Sequence, residues 1–347
     1  MRTVRYAFLE RTHPSSMSNA AKYYQRALAT QGEKAETFPV GLRYGARLGG
    51  RVKPAFQFLT RSYDRDHLYH AVEPEVAFRG ADVVTYHILF PFYDRTQRSM
   101  DRLWTSWRYR RAAARARAIV AINPAIQEEI RELLGEGAHR KTHLIRLPLQ
   151  APSAGRKERA YDLLWVGGNH PRKGPAKFLE ALLKVPGRRK VCFLLHRQPE
   201  YTEENSKIDR WLREVRRLHD LDLPEYPVPF ARLDELYRSS HAFVNSSYYE
   251  GFPIAVFDAY ARGTRIVVPE VLNFTKDYGH ANGVHYYRYD CRRVLEGGED
   301  PKMVERLAGA IESALSEGDF TPSPEVLRPY SDEFVGRELS GLYRKLG

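Results

Sequence analysis

The segment Asn245–Gly263 carries the residues whose types and spacing are best suited to chemistry. Its sequence, NSSYYEGFPIAVFDAYARG, places Glu250 in a loop after a predicted strand and Asp258 on the helix that follows. The first backbone N–H groups of a helix, here near Ile254 and Ala255, lack helical partners and favour a phosphate. An acid further along can accept hydrogen bonds from ribose hydroxyls. One short element can therefore hold a diphosphate and a ribose.

A second segment, 162–181, adds positive charge to this chemistry. Its sequence, DLLWVGGNHPRKGPAKFLEA, predicts a strand, a turn at Gly167 and Gly168, a basic loop and a helix. Two glycines let the backbone approach a ligand closely. Lys173 would meet a phosphate as a point charge and Arg172 as a planar fork. The alternative is an ordinary strand-to-helix loop with solvated cations.

His87 is the third candidate, at the end of the buried run ADVVTYH. A histidine just past a buried strand points towards the edge of a sheet where ligands bind, and it can donate a hydrogen bond or carry charge there. The alternative is a structural histidine that is satisfied in the core. The two acids have their own alternative, in which Glu250 is a loop acid and Asp258 a solvated helix residue.

Short apolar runs alternate with helical patterns along the chain, which predicts strand–helix units and parallel sheets. Strands are predicted at 2–10, 81–90, 118–123, 142–147, 161–166, 190–196, 242–246 and 265–269, and helices at 19–31, 124–134, 175–184, 208–218, 233–239, 253–262, 301–315 and 331–346.

The polar, Pro-, Ser- and Gly-containing stretch Gln150–Lys157 separates two series of these units and is predicted to be a linker. We therefore predict a basic N-terminal domain over 1–150, a C-terminal donor domain over 151–330 and a closing helix over 331–347. Ligands bind such sheets at the carboxyl ends of the strands, and the cleft between two facing domains is the default site.

Composition narrows the class of protein. The chain has 347 residues, of which 43% are apolar, and only two cysteines, so neither a disulfide framework nor a zinc site is indicated. The N-terminal sequence has no long apolar region of a signal peptide, and no stretch is long enough to span a membrane. We expect a cytoplasmic protein, with peripheral contact at the inner membrane face as one option.

These three motifs resemble those of glycosyltransferase family 4, a group of retaining GT-B enzymes. EGFPIAVFDAYARGTRIVV is similar to its E-x7-E region, VGGNHPRKG to its V-G-R-L-x-x-x-K-G loop, and DVVTYH to its D-V-V-H-x-H strand end. The resemblance implies an α/β fold of the GT-B type, with two Rossmann-like domains facing across a cleft. It also implies transfer from a nucleotide diphosphate sugar without a metal or a separate cofactor.

The resemblance also implies roles for individual residues. Glu250 would hold the donor sugar, Asp258 the ribose and Lys173 the leaving diphosphate, while His87 would lie near the reacting centre. By the same resemblance, the closing helix crosses back onto the N-terminal domain. The wider donor site would comprise Gly167, Gly168, Arg172, Gly251, Phe252, Ile254 and Ala255.

The sequence departs from the family pattern at four positions. The second acid is Asp258 rather than a glutamate, Pro253 replaces a glycine, and Ala255 replaces a proline. Gly168 stands where the family has an arginine for the diphosphate, and we expect Arg172 or His170 to replace that arginine.

The charge of the chain is uneven. The net charge of the whole chain is +12. Residues 1–157 hold 27 Lys and Arg against 14 Asp and Glu, so this part of the chain carries all of the excess positive charge. Within this half, the predicted helix 107–117 (WRYRRAAARAR) places Arg108, Arg111 and Arg115 on one face. Arginine with tryptophan suits an anionic membrane surface, and equally a nucleic acid or another polyanionic acceptor. A solvated helix face is the alternative.

Other functional classes remain open from the sequence. A GT-B enzyme that glucosylates nucleic acid and a non-catalytic polyanion-binding protein both fit the basic half. A glycoside hydrolase needs two carboxylates across a scissile bond, whereas Glu250 and Asp258 lie in a phosphate-type loop and helix. The sequence favours a glycosyltransferase acting on a glycan, a lipid-linked or another acceptor.

Overall fold

The computed structural model describes residues 2–9, 16–41, 62–89, 92–93, 99–149, 157–270, 281–290, 294, 298 and 300–347. Contacts divide the chain into two units, one formed by Met1–Gln150 with Arg328–Gly347 and the other by Ala151–Leu327. The predicted linker lies, apart from Lys157, outside the described residues, as does Cys291.

The first unit is built on a parallel sheet in the order β2-β1-β3-β4-β5-β6. This is a doubly wound arrangement, because the chain turns to opposite sides of β1 for β2 and β3. The strands of this sheet are β1 (Val4–Leu9), β2 (Ala35–Val40), β3 (Leu68–Ala71), β4 (Ala81–Tyr86), β5 (Ala118–Ala121) and β6 (Thr142–Leu144).

The second unit is built on another parallel sheet, in the order β12-β11-β10-β7-β8-β9. Counted within the unit, this is the 3-2-1-4-5-6 order of nucleotide-binding sheets, and its switch point lies between β7 and β10. The strands of this sheet are β7 (Tyr161–Gly168), β8 (Lys190–His196), β9 (Asp220–Asp222), β10 (Ser240–Val244), β11 (Arg265–Pro269) and β12 (Val284–Tyr287).

Helices connect the strands of both sheets. In the described part of the chain, no helix combines the length and the apolar character needed to cross a bilayer. The helices are α1 (Ser16–Ala29), α2 (Ser99–Arg115), α3 (Pro124–Leu134), α4 (Glu136–His139), α5 (Pro175–Leu182), α6 (Thr202–Leu218), α7 (Phe230–Arg238), α8 (Ile254–Ala261), α9 (Met303–Ser316), α10 (Pro324–Leu327) and α11 (Asp332–Leu346), with 3-10 turns at Pro74–Val76, Pro171–Lys173 and Arg328–Tyr330.

Local sequence signals explain where several helices begin. The side chain of Asn123 accepts a hydrogen bond from the Ile126 N–H at 2.8 Å, and Pro124 occupies the first helical position of α3. Ser331 caps α11 in the same way, with the Phe334 N–H as donor at 3.2 Å. Both starts agree with the predicted segments within one residue.

The closing helix α11 belongs to the first unit and packs on α1. Arg26 on α1 pairs with Asp332 at 2.6 Å, and the Tyr343 hydroxyl lies 2.6 Å from Nδ1 of the buried His70 on β3. Gly336 lies so close to α1 that a Cβ atom there would overlap the carbonyl of Ala27. The C-terminal residues therefore complete the core of the first unit.

Some elements differ from their predictions. Strands β2, β3, β9 and β12 are absent from the predicted set. Three of them, β2, β9 and β12, lie at sheet edges, where polar residues are tolerated and no long apolar run is needed. Helix α2 begins at Ser99, eight residues before the predicted start, and ends at Arg115. Its first half is polar at several positions, so only the arginine-rich second half was predicted to be helical.

Candidate active site at the carboxyl ends of β7 and β10

The loop after β7 approaches the end of β10 at a glycine. Gly174 has a φ of +63°, and a Cβ atom at this position would overlap the carbonyl oxygen of Ser246. The Ser246 hydroxyl lies within hydrogen-bonding distance of the carbonyls of Lys173 and Gly174, at 3.0 and 2.9 Å. The indole N–H of Trp165 donates to the same hydroxyl at 2.9 Å. These bonds hold the two predicted site loops together at the switch point of the sheet.

Glu250 is the centre of this site. Its carboxylate is 5% exposed and accepts a hydrogen bond from the Ser247 hydroxyl at 2.7 Å. Lys173 Nζ contacts Oε1, and Arg172 Nη1 lies 3.3 Å from Oε2 while also donating to the Tyr249 carbonyl at 3.0 Å. The structure therefore brings together three residues that the sequence placed in two separate motifs.

Burial and ion pairing act in opposite directions on the pKa values of Glu250 and Lys173. Burial raises the pKa of Glu250, but the cations of Lys173 and Arg172 outweigh burial and hold that pKa at about 2. Burial lowers the pKa of Lys173, and the carboxylate of Glu250 opposes this effect. Two cations thus share one carboxylate, leaving one excess positive charge at the strand ends.

Arg172 rather than His170 accompanies Lys173. The ring of His170 accepts a hydrogen bond from the Arg172 N–H at 3.2 Å and lies 4.9 Å from the ring of Tyr201. Its side chain therefore serves the turn itself and not the carboxylate of Glu250. The fork geometry and permanent charge of Arg172 suit a diphosphate.

The two glycines that end β7 differ in their surroundings. A Cβ atom on Gly167 would lie 2.7 Å from the ring of Trp165, so packing requires a glycine there. A Cβ atom on Gly168 would lie 3.7 Å from the nearest backbone oxygen, which is an ordinary contact. The backbone at Gly168 therefore leaves room for a side chain.

The loop and the first turn of α8 follow Glu250. The N–H of Ile254 donates to the carbonyl of Phe252 at 3.0 Å, so this N–H is paired within the loop. The ring of Phe252 stacks on Phe257 with centroids 4.5 Å apart, which fixes the loop, and Gly251 is buried beside it. The neighbouring Ala255 keeps its predicted place in the first turn of the helix.

Asp258 lies on the buried face of α8 with 5% of its surface exposed. Its Oδ1 accepts a hydrogen bond from Arg262 at 3.1 Å, and Arg262 also donates to Asp234 at 2.6 Å. Burial raises the pKa of Asp258 to about 6, although the Arg262 cation opposes it. The ribose role stays a prediction, and the structure adds a structural role in joining α8 to α7.

Sequence reasoning missed four contributors to these contacts. Ser246 and Ser247 stand in the same loop as Glu250, so their hydroxyls could have been counted as partners of the turn. Arg262 is four residues after Asp258, a spacing that pairs opposite charges on a helix. The contribution of Asp234, in contrast, depends on packing between two helices and carries no local signal.

His87 lies in the first unit, immediately after β4. It is 7% exposed, it makes a hydrogen bond to the backbone of Val72, and its Nε2 is buried without a hydrogen-bond partner among the described residues. Burial lowers the pKa of His87 to about 4, so the ring is neutral at physiological pH. A neutral ring bonded through one nitrogen offers the other as an acceptor.

The basic helix α2 exposes a different side from the one predicted. Arg111 is exposed, but Arg108 and Arg115 are half-buried, and the indole of Trp104 lies 5.9 Å beneath the guanidinium of Arg108. The arginines that share the solvent side are Arg110 and Arg111. Helical spacing alone could not identify this side, because it depends on which face packs on the sheet.

Within the described ranges, no group of three or more His, Cys, Asp or Glu side chains is placed to ligate a metal ion. The positive charge at the site comes instead from Lys173 and Arg172. The arrangement can bind an anionic group beside a carboxylate that accepts hydroxyl hydrogen bonds.

Comparison with known proteins bears on this site. The family model described as Glycosyl transferases group 1 matches residues 160–290, which include both site loops. Comparison of the sequence with curated proteins gives no match.

Solved structures share the fold over nearly the whole chain. Sucrose-phosphate synthase from Thermosynechococcus elongatus is 15% identical, with a TM-score of 0.70 over 100% of this chain and 99% of that chain. Anabaena HepE in complex with UDP and glucose is 12% identical, with a TM-score of 0.63 over 99% of this chain and 100% of that one.

WaaG, a glycosyltransferase involved in lipopolysaccharide biosynthesis, is 14% identical, with a TM-score of 0.61 over 95% of this chain and 94% of that one. At such identities the likeness establishes the fold. The chain therefore has the GT-B fold, and its residues 160–290 match the glycosyl transferases group 1 family model.

Proposed function

We propose that the protein is a retaining glycosyltransferase of the family 4 type that transfers a sugar from a nucleotide diphosphate sugar. One observation carries this proposal: Lys173 and Arg172 converge on Glu250 at the switch point of a 3-2-1-4-5-6 sheet. That is the position at which such sheets bind nucleotides. The match of residues 160–290 to glycosyl transferases group 1 supports the same activity.

The diphosphate of the donor would bind Lys173 and Arg172. Their charge stabilises the leaving diphosphate as the bond to the sugar breaks, and this is the reason for proposing a reaction that needs no metal ion. The glycines at 167 and 168, with the loop at Gly251 and the N–H of Ala255, would let the backbone approach the phosphates.

Glu250 would change partners when the donor binds. In the protein without donor it neutralises Lys173 and Arg172. A diphosphate would take over these cations, and the carboxylate would then accept hydrogen bonds from hydroxyls of the donor sugar. Asp258 would accept from a ribose hydroxyl, and the free nitrogen of His87 would accept from a sugar hydroxyl near the reacting carbon.

The proposed reaction breaks the bond between the anomeric carbon and the diphosphate oxygen and forms a bond from that carbon to the acceptor oxygen on the same face. The acceptor proton passes to an oxygen of the leaving phosphate, so no protein base is required. HepE was solved with UDP and with UDP-glucose, which makes UDP-sugars the first donors to test.

The site argues against a glycoside hydrolase. Such an enzyme needs a carboxylic acid that stays protonated to donate to the leaving oxygen. The pKa of Glu250 is held at about 2 by two cations, so this group cannot be that acid at physiological pH. Asp258, whose pKa is raised to about 6, is 5% exposed and has its Oδ1 bound to Arg262 where α8 contacts α7.

A thermal-shift panel of UDP-, GDP-, ADP- and dTDP-sugars tests the proposal and identifies the nucleotide. A ligand present at about 100 times its Kd should stabilise the fold by about 2.7 kcal/mol. We expect one nucleotide to raise the Tm and its transferred sugar to keep its anomeric configuration, as read by NMR of the product. A panel without any response would overturn the donor assignment, and inversion would overturn only the retaining mechanism.

A further inference from the structure

Helix α2 presents an apolar stripe to solvent. Met100 is 70% exposed, Leu103 66% and Trp107 36%, and these positions follow one another at i, i+3 and i+7. Single exposed apolar residues are common on protein surfaces, but a row of three on one helix forms a continuous strip. The opposite side of α2 is buried through Tyr109 and Ala112, so the helix is fixed with this strip outwards.

Arginines border the apolar stripe. With roughly 100° of rotation per residue, Arg110 and Arg111 project on opposite sides of the line through Met100, Leu103 and Trp107. Both are exposed, and neither forms an ion pair with a carboxylate in the part of the chain that the structure describes. Each therefore keeps its positive charge available to an anionic surface.

Positive charge also accumulates around the end of the helix. Burial lowers the pKa of Arg115, and the nearby cations Arg111 and Arg79 lower it further. Three guanidinium groups therefore lie close together near this end of the helix. The acid nearest the start of the helix, Asp101, is half-buried in its first turn. Residues 1–157 as a whole hold 27 Lys and Arg against 14 Asp and Glu.

We propose that the exposed side of α2 docks the protein onto an anionic lipid bilayer, with α2 lying in the interface plane. An interfacial helix of this kind buries its apolar side at the boundary of headgroups and acyl chains while flanking arginines contact anionic headgroups. Met100, Leu103 and Trp107 would enter that boundary, and Arg110 and Arg111 would bind the headgroups.

The apolar stripe decides between a bilayer and a nucleic acid. A phosphate backbone would bind the arginines but would leave Met100 and Leu103 without an apolar partner. A bilayer interface would bury the apolar stripe and bind the flanking arginines. The proposal does not depend on the donor reaction, because lipid binding can be measured without any nucleotide sugar.

Co-sedimentation of the full chain with sucrose-loaded vesicles tests the proposal. One set of vesicles contains phosphatidylcholine alone and the other a mixture of phosphatidylcholine and phosphatidylglycerol. We expect binding to the anionic vesicles and little to the neutral ones. Arg110→Gln/Arg111→Gln should weaken binding by about fivefold per arginine. Met100→Gln/Leu103→Gln should weaken it by roughly tenfold.

Matched controls are available on α6 in the second unit. Arg213→Gln/Arg216→Gln removes two exposed arginines, and Leu218→Gln removes an apolar side chain that is 48% exposed. Both should bind vesicles as the unaltered protein does. The proposal is overturned if no vesicle binds, if Met100→Gln/Leu103→Gln binds unchanged, or if duplex DNA binds more tightly than anionic vesicles and is insensitive to that variant.

Discussion

Arg172 lies beside Glu250, with its Nη1 3.3 Å from Oε2 of the carboxylate, on the oxygen that Lys173 does not contact. The two cations come from the β7 loop and the carboxylate from the β10 loop, so the pairing exists only because the doubly wound order makes these strands neighbours. Under the proposed function, a donor diphosphate would compete for both cations at once, and phosphate binding would then be coupled to release of the carboxylate.

Loss of the cations should impair transfer far more than folding. Lys173→Ala should reduce kcat on the order of 10²–10³-fold, since it removes charge that meets the leaving diphosphate, and Arg172→Ala should act in the same direction. Lys177→Ala is the matched control, because Lys177 is one turn further along and pairs with Glu180. Steady-state kinetics decide the matter: comparable rates for the Lys173 and Lys177 variants would refute the diphosphate assignment.

Removal of the carboxylate should destabilise the free protein. Glu250→Gln leaves Lys173 and Arg172 without their shared anion, and we expect the free energy of unfolding to fall by about 1–3 kcal/mol, less than for a fully buried pair because Lys173 is 28% exposed. Urea titration measures this change.

The double variant Lys173→Met/Glu250→Gln provides the check on that coupling. It should lose less stability than Lys173→Met and Glu250→Gln measured singly and added together, because it removes both members of the Lys173–Glu250 pair and leaves only Arg172 without its anion. Strict additivity of the three measurements would show that the ion pair does not contribute to folding.

The acid on α8 should give the protein a specific pH dependence of stability. The pKa of Asp258 rises from an ordinary 3.8 to about 6 on folding, so the folded state holds the proton over a range in which the unfolded chain has lost it. Its contribution to the free energy of unfolding is therefore full below about pH 4 and is lost as the pH rises to 6, by about 3 kcal/mol.

Denaturant unfolding of the unaltered protein and of Asp258→Asn between about pH 4 and pH 6 isolates the contribution of Asp258 to the free energy of unfolding. The unaltered protein should lose stability relative to the variant as the pH rises. Glu312→Gln, a change at an exposed acid of α9, serves as the control. A stability difference that does not change with pH would contradict the assignment of this proton to Asp258.

Two glycines of α11 give a matched test of its packing. Gly336→Ala should destabilise the protein by about 3 kcal/mol, because a methyl group there overlaps the carbonyl of Ala27. Gly341→Ala meets no atom within 4 Å and should stabilise the helix by about 0.5–1 kcal/mol. Thermal melts of both variants measure the contrast. Equal melting temperatures would mean that α11 does not pack on α1 as described.

The sequence predicted the elements that carry strong local signals. Lys173 and Glu250 were identified because each stands in a loop between an apolar strand and a capped or proline-started helix. The pairing of Arg172 with Glu250, in contrast, depends on the spatial order of β7 and β10, which no local pattern encodes. The contact of Arg262 with the second helix, α7, also depends on spatial packing, because Arg262 donates to Asp258 and to Asp234.

The short strands were missed for a related reason. Strand β9 consists of Asp220–Asp222 and lies at the edge of its sheet, so it needs no apolar run to form there. The outward side of α2 was also misjudged, since Arg110 becomes exposed only when Tyr109 packs inwards. Tertiary packing, rather than propensity, decided both outcomes.

Calorimetric titration of the nucleoside diphosphate selected by the thermal-shift panel tests the central claim most directly. The unaltered protein should bind the diphosphate much more tightly than the corresponding monophosphate, and Lys173→Ala should abolish that preference while Lys177→Ala retains it. If the unaltered protein and Lys173→Ala bind the diphosphate with equal affinity, the donor does not bind at Lys173 and Glu250 and the account is wrong.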